Sequence, residues 1–243
     1  VKSDEERYLD REALILRTRD EKEADRLVWI VTAESGKSVV LARGARKPRA
    51  RLAGALQPFA LSRLVIYTGH WPTVTAAQTI LSWRHLREDY ERMQAAAFVA
   101  ELLLAAAPEG DEAGRAFGLG KAALSSLDAG DDPRLVAMAF GRDLLVASGW
   151  GIDFGSCGVC GREVTGDAYL RAHIGDVTHG ACSRAGLSLP RATRGFLAGE
   201  VADGGEAPSV FEAILALWQG HLEAPLRTAP GLRSACYQRR GEA

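Results

Sequence analysis

Two short motifs carry residue types that bind soft metal ions. Cys157-Gly158-Val159-Cys160-Gly161 sets two thiols three positions apart, and His179-Gly180-Ala181-Cys182 sets an imidazole and a thiol at the same separation. Two tight turns of this kind let four ligands converge tetrahedrally on zinc. Glycines at 158, 161 and 180 suit turns that bring ligands close together. With Cys157, Cys160, His179 and Cys182 filling every position, no open site remains for a reactive water. The expected role is structural: one Zn2+ per chain, whose binding energy becomes folding energy for an insert too small to hold itself together. His173 is a rival fourth ligand. The first motif alone also fits a redox pair or two buried cysteines. Cys236 lies far beyond Cys182 in a helical context and reads as an ordinary buried side chain.

The second chemical signal is charge. The net charge of -1 conceals a division along the chain. Residues 35–87 carry 9 cations (Lys37, Arg43, Arg46, Lys47, Arg49, Arg51, Arg63, Arg84 and Arg87) and no Asp or Glu. An ordinary solvated face mixes both signs. Arg43, Arg46, Lys47, Arg49 and Arg51 can track a phosphate backbone with steep salt dependence. Lys37 and Arg63 belong to the same stretch, and Arg17 and Arg19 are expected to join its surface. Tyr67, Trp71 and Phe59 are candidate platforms for stacking bases, and Trp29 is as readily a core residue. No base-reading helix is evident, so little sequence specificity is expected. A solubilising surface, an adaptor face for an acidic protein segment, and an RNA-binding zinc protein are the competing readings.

Signatures of catalysis are missing. No G-x-G-x-x-G opens a helix after a strand, and no G-x-x-x-x-G-K-[ST], G-x-S-x-G or H-E-x-x-H occurs. A two-metal nuclease needs converging carboxylates, and residues 35–87 supply none. The chain reads as a non-enzymatic binding protein.

Certain elements must position these groups. With 243 residues, 47% hydrophobic and 25% charged, the chain can bury a sizeable core. It has no apolar run of membrane-spanning length, and its charged start lacks a signal-peptide core. A soluble cytoplasmic protein is therefore expected. β-Branched and apolar runs at 12–18, 26–33, 38–43, 59–67 and 73–83 predict five strands, with a basic Gly/Pro-punctuated loop over 44–54. Curling the strands into a barrel removes most exposed edges. The long loop after the third strand suits an OB-like barrel.

Beyond Trp83 the pattern turns helical. A long Ala/Leu-rich helix runs until Pro108, followed by helices over 112–127, 133–148, 190–197, 209–218 and 226–237. Residues 153–187 form the metal-binding insert, with 167–170 and 172–174 pairing as a hairpin between the knuckles. The fold class is α+β: an OB-like barrel domain over 1–84, then a helical domain over 85–243 that contains the insert.

Taken together, the early run EALILRTRD, the basic segment ARGARKPRARLAGALQPF, the helical half and the late C-x-x-C-G insert resemble the bacterial recombinational repair family RecO. The resemblance spans nearly the whole length and rests most on Gly44, Arg46, Lys47, Arg49, Leu56, Pro58 and Phe59. It implies binding of single- and double-stranded DNA and annealing of complementary strands. It also implies partnership with RecR and single-strand-binding protein in the repair of damaged DNA, at the nucleoid. It carries over no catalytic residue. Where relatives retain zinc they typically show two C-x-x-C knuckles. Here Ala185 stands where the last cysteine is expected, and His179 is the substitute. Lys121, Arg142, Arg191 and Arg194 could extend a DNA path over the helical half.

Overall fold

The computed structural model describes residues 7–199 and 207–238. The chain divides into two compact units, residues 1–130 and 131–243. No helix among the described residues is long and apolar enough to cross a membrane.

The first unit is built on five strands: β1 (Tyr8–Glu21), β2 (Asp25–Thr32), β3 (Gly36–Ala42), β4 (Ala60–Thr68) and β5 (Pro72–Leu81). Their order is β1-β2-β3-β5-β4, and β4 returns to β1 to close a barrel. Strand β1 is longer than its apolar centre predicts because it serves two partners. Tyr8–Ile15 pair with β4, and Ala13–Glu21 pair with β2. A register shift between Ile15 and Arg17 marks the change, and such a bulge bends a strand. The β3–β5 side closes through a single parallel pairing, Leu41 with Thr73.

Side chains alternate across each strand with a period of two. Ala13, Ile15, Val28, Ile30, Val40, Ala42, Leu64, Ile66 and Val74 fill the barrel. Ala45 and Leu56, from the basic loop, drop into the same core, so that loop is anchored at both ends. Within it the Gly44 amide donates to Asp25 (2.8 Å) and the Arg46 amide donates to the Ala24 carbonyl (2.9 Å).

The strand-to-helix change falls near residue 84, but the first compact unit extends beyond it. Helices α1 (Tyr90–Ala106) and α2 (Gly114–Ala129) contact β1 and β2. The expected boundary at 84/85 therefore marks a change of secondary structure rather than of packing. Leu14, Leu16 and Val31, on the barrel exterior, are buried. Gly120 permits the close approach of helix to barrel: a Cβ there would lie 2.6 Å from Leu103 Cδ1 and 3.1 Å from Leu14 Cδ1. Gly36, at φ 67°, starts β3 against the end of α1, where a Cβ would lie 2.2 Å from the Pro108 carbonyl oxygen.

The second unit contains α3 (Pro133–Ala147), α4 (Arg191–Leu197), α5 (Ala207–Gln219) and α6 (Ala229–Gln238). The last helix starts at Ala229 rather than 226, which leaves Pro230 in its first turn, where a missing N–H costs little. Asp132 caps α3 by accepting the Arg134 amide (2.9 Å). Trp218 is fully buried, and its indole N–H donates to the Gly141 carbonyl (3.1 Å). The insert carries a three-stranded sheet in the order β7-β6-β8, with β6 at Ala168–Arg171, β7 at Asp176–Thr178 and β8 at Leu187–Leu189. The hairpin partner of β6 is thus 176–178 rather than 172–174. Residues 172–175 form the turn, closed by the Ile174 and Gly175 amides donating to the Arg171 carbonyl (2.9 Å each).

Candidate metal centre and nucleic-acid interface

The ligand atoms of Cys157, Cys160, His179 and Cys182 all lie within 4.8 Å of one another. A tetrahedron with metal–sulfur bonds of about 2.3 Å has edges of roughly 3.8 Å, and the cluster is close to that size. Backbone hydrogen bonds build both knuckles. Cys157 N–H donates to the Arg162 carbonyl (2.9 Å) and Gly161 N–H returns to the Cys157 carbonyl (2.8 Å). In the second knuckle Cys182 N–H donates to the His179 carbonyl (2.9 Å). The Gly158 amide ties the first knuckle to β7 at the Val177 carbonyl (2.9 Å). His173 sits exposed in the hairpin turn, outside the cluster.

The imidazole is oriented for coordination. His179 Nε2 lies 3.0 Å from the Glu163 carbonyl oxygen, and Nδ1 lies 3.5 Å from Cys160 Sγ and 4.0 Å from Cys182 Sγ. A carbonyl accepts only from a protonated nitrogen, so Nε2 holds the hydrogen and Nδ1 turns its lone pair to the sulfurs.

The thiols do not share this space equally. Cys157 is brought down to about 6, chiefly by the Cys160 backbone N–H, with the His179 and Val159 amides adding. Cys160 is lowered by the Arg162 backbone N–H and then by its side chain. Cys182 is pushed up to about 11, first by its hydrogen bond to Cys160, then by burial and the neighbouring negative charge. His179 is raised, mainly by the Glu163 carbonyl. Crowded sulfurs resist a third negative charge, and a bound dication relieves that repulsion. Soft thiolates with an imidazole form a donor set that fits zinc.

On the barrel, the pairing register draws a line across all five strands. Arg17 pairs with Trp29, and Trp29 with Val39. Two residues along β3, Leu41 pairs with Thr73, and Thr73 pairs with Tyr67. Trp29, Val39, Leu41, Thr73 and Tyr67 alternate with core residues and therefore face outward, and the bulge after Ile15 turns Arg17 to the same side as its partner Trp29. Four strand spacings and one two-residue step give a path of roughly 20–25 Å around the barrel wall.

Each end of the track is cationic and aromatic. At one end the Arg17 and Arg19 guanidiniums lie 5.2 and 5.8 Å from the Trp29 ring centroid, an arrangement that holds them in place. Trp29 therefore belongs to the surface, not the barrel core. At the other end a cleft of about 320 Å3 is lined by Arg43, Tyr67, His70, Trp71, Thr73 and Thr75. Trp71 is 51% exposed, and Tyr8 leans on Tyr67 with ring centroids 5.2 Å apart. His70 and Tyr8 escape notice in the sequence. The His70-Trp71-Pro72 turn was the available signal for one, but Tyr8 precedes the apolar run that predicts β1.

The other cations divide. Arg43, Lys47, Arg49 and Arg51 are exposed, and their side chains form no hydrogen bond or ion pair among the described residues. Arg46 is locked in place: Nη1 donates to the Lys22 and Glu23 carbonyls (2.9 and 3.1 Å), and Nε lies 3.2 Å from Asp20. Arg63 faces Glu12 in the β1–β4 register and reaches Asp10 (3.7 Å) and Glu12 (3.8 Å). Arg19 also contacts Glu21 (3.2 Å), and Lys37 donates to the Leu104 carbonyl (3.4 Å). Phe59 is partly buried and is not among the cleft residues. In the second unit Arg142 and Arg194 are committed to backbone carbonyls of Phe196, Gly166 and Phe154.

The model of the family described as recombination protein O N terminal matches residues 7–83, and that of recombination protein O C terminal matches residues 87–200. Among curated relatives, a DNA repair protein RecO of Desulforamulus reducens is 32% identical over 154 residues, which cover 63% of this chain and 60% of that protein. The namesake of Symbiobacterium thermophilum is 31% identical over 191 residues, with 76% of each chain covered. That of Geobacter sulfurreducens is 33% identical over 184 residues, 75% of this chain and 76% of its own. The barrel, the helices behind it and much of the cysteine insert all fall inside these matches, and the chain belongs to the recombination protein O family.

Proposed function

We propose that this protein is a non-enzymatic mediator of recombinational DNA repair that binds single- and double-stranded DNA and anneals complementary strands. The observation that carries the proposal is the outward track from Arg17 and Trp29 to Arg43, Tyr67 and Trp71, continued by the free cations Lys47, Arg49 and Arg51. We read the barrel as OB-like, a fold whose exposed strands and β4–β5 loop receive oligonucleotides. Cations along the track offset backbone repulsion, while exposed rings offer sequence-tolerant stacking. Base pairing then supplies the driving force for annealing, with no hydrolysis. Arg46 and Arg63, being paired with carboxylates, act in this reading as supports for the barrel.

Zinc is the proposed occupant of the cysteine cluster, held by Cys157, Cys160, Cys182 and His179 Nδ1. Its part is to hold the insert folded. RecR and single-strand-binding protein are the proposed partners, and the nucleoid in the cytoplasm the proposed location; both rest on family membership.

The decisive experiment is annealing of complementary oligonucleotides over a salt series. Wild-type protein is expected to accelerate annealing at low salt and lose the effect as salt rises. A variant carrying Arg43→Ala, Lys47→Ala, Arg49→Ala and Arg51→Ala is expected to be inert. Equal annealing by both proteins at matched salt, or strong preference for an RNA strand of the same length, overturns the reading.

A further inference from the structure

We infer that the cleft beside Trp29 is a base pocket and that Glu109 makes it prefer guanine. The inference rests on the DNA reading and adds to it one position at which the base matters. A cleft of about 270 Å3 is lined by Trp29, Lys37, Ser38, Val39, Leu104 and Glu109. Trp29 and Val39 are paired members of the outward track, so a strand lying along that track passes the mouth of the cleft. Lys37 stands two residues before Val39, on the same face of β3.

The rest of the wall comes from α1 and the chain that follows it. Pro108 to Gly110 run antiparallel to the start of β3. Lys37 N–H donates to the Pro108 carbonyl (3.2 Å), Gly110 N–H donates to the Ser35 carbonyl (3.0 Å), and Gly36 and Glu109 form the bridge between them. The missing side chain of Gly36 permits this approach, so the backbone of Glu109 is fixed before a ligand arrives. Its carboxylate is exposed and makes no hydrogen bond or ion pair among the described residues. Lys37 Nζ, 3.4 Å from the Leu104 carbonyl, spends one of its three hydrogens there. The cleft therefore holds a free carboxylate and an ammonium with donors to spare.

These charges sort the parts of a nucleotide. A carboxylate next to the last turn of α1, the negative end of that helix, repels a phosphate. The Arg17 and Arg19 guanidiniums, 5.2 and 5.8 Å from the Trp29 ring centroid, attract one. What enters the cleft is the base, resting against Trp29. Guanine suits the groups best. Its N1–H and N2 amino group donate side by side to the two carboxylate oxygens, and its O6 accepts from Lys37. Cytosine and adenine offer one amino group each. Thymine offers a single N–H between two carbonyls, and the carboxylate repels both. A preference at this one pocket leaves the remainder of the track indifferent to sequence.

Fluorescence anisotropy of the full chain with three strands, at one salt concentration, tests it. The strands are an oligothymidine of about 12 nucleotides, the same strand with one central deoxyguanosine, and its deoxyinosine counterpart, which lacks only the N2 amino group. Wild-type protein is expected to bind the deoxyguanosine strand about tenfold more tightly than the oligothymidine, with the deoxyinosine strand between them. Glu109→Ala is expected to bring all three within about twofold of one another. Glu109→Gln keeps one acceptor and is expected to retain an intermediate preference. Equal binding of the three strands by wild-type protein overturns the inference and leaves the DNA reading standing. So does a guanine preference that survives Glu109→Ala, or one that deoxyinosine reproduces in full. Binding of none of the strands overturns both.

Discussion

Arg46 Nε stands 3.2 Å from the Asp20 carboxylate, whereas the side chain of Lys47, the next residue, has no such partner among the described residues. Adjacent cations in one loop therefore do different work. The first ties the loop to the β1–β2 turn, and the second is free for a phosphate.

Removing the free cations should show in the salt dependence. The fourfold variant at Arg43, Lys47, Arg49 and Arg51 is expected to lower the slope of log affinity against log salt for single strands by about 3. Arg46→Ala is expected to change that slope by less than about 1 and to lower the thermal midpoint instead. Fluorescence anisotropy at several salt concentrations separates the two outcomes. An equal loss of slope from Arg46→Ala would refute the division.

Stacking is tested apart from charge. Trp71→Ala is expected to cost about 1–3 kcal/mol of single-strand affinity, with the salt slope unchanged. Gly69→Ala should act on the same cleft indirectly, since its Cβ would lie 2.3 Å from Tyr67 Cε1 and must displace that ring. Binding of a short oligothymidine by both variants, measured at one salt concentration, checks this.

Metal uptake should release protons. Without metal, the Cys182 thiol at about 11 is protonated at neutral pH, whereas Cys157 at about 6 has already lost its proton. Zinc must displace the Cys182 proton, and below its raised value the His179 proton as well. Affinity is therefore expected to fall as pH falls. Titrating zinc into chelated protein with a pH indicator at pH 7.5 is expected to show at least one proton released per ion. Cys182→Ala is expected to reduce that release, and metal analysis of this variant is expected to show zinc well below one per chain.

The α3 cap should report on acid stability. The Asp132 carboxyl lies below its usual range, first because of the Arg134 side chain that donates to it at 2.5–3.0 Å. A carboxylate depressed on folding stabilises at pH above its unfolded value of about 3.9, and the contribution fades as pH falls through the folded value. Asp132→Ala is expected to cost about 1 kcal/mol at pH 7. The gap from wild type should close progressively below about pH 4. Urea unfolding at pH 7, 5 and 3.5 measures it.

Periodicity made much of this fold legible. Val28 and Ile30, then Val40 and Ala42, announce strands because alternation survives in the sequence, and Cys157-x-x-Cys160 announces a knuckle because its ligands are local. What stayed hidden depends on pairings between distant residues. The Arg63–Glu12 contact follows from the β1–β4 register, and Trp29 reaches the surface only because Val28 and Ile30 claim the core. His173, the rival fourth ligand, is set apart from the cluster because β6 pairs with 176–178 and leaves it at the hairpin tip. The separation of Arg46 from its basic neighbours depends on where Asp20 sits, and composition cannot carry that information.

The burial of Leu14, Leu16 and Val31 beyond the barrel core limits how the chain can be cut. A fragment ending near residue 84 would keep all five strands yet bare a greasy flank where α1 and α2 belong, and it should aggregate when expressed. One ending at Gly130 retains its own covering and should remain monodisperse, so the smallest autonomous piece of this half of the protein is some 45 residues longer than its strands alone suggest.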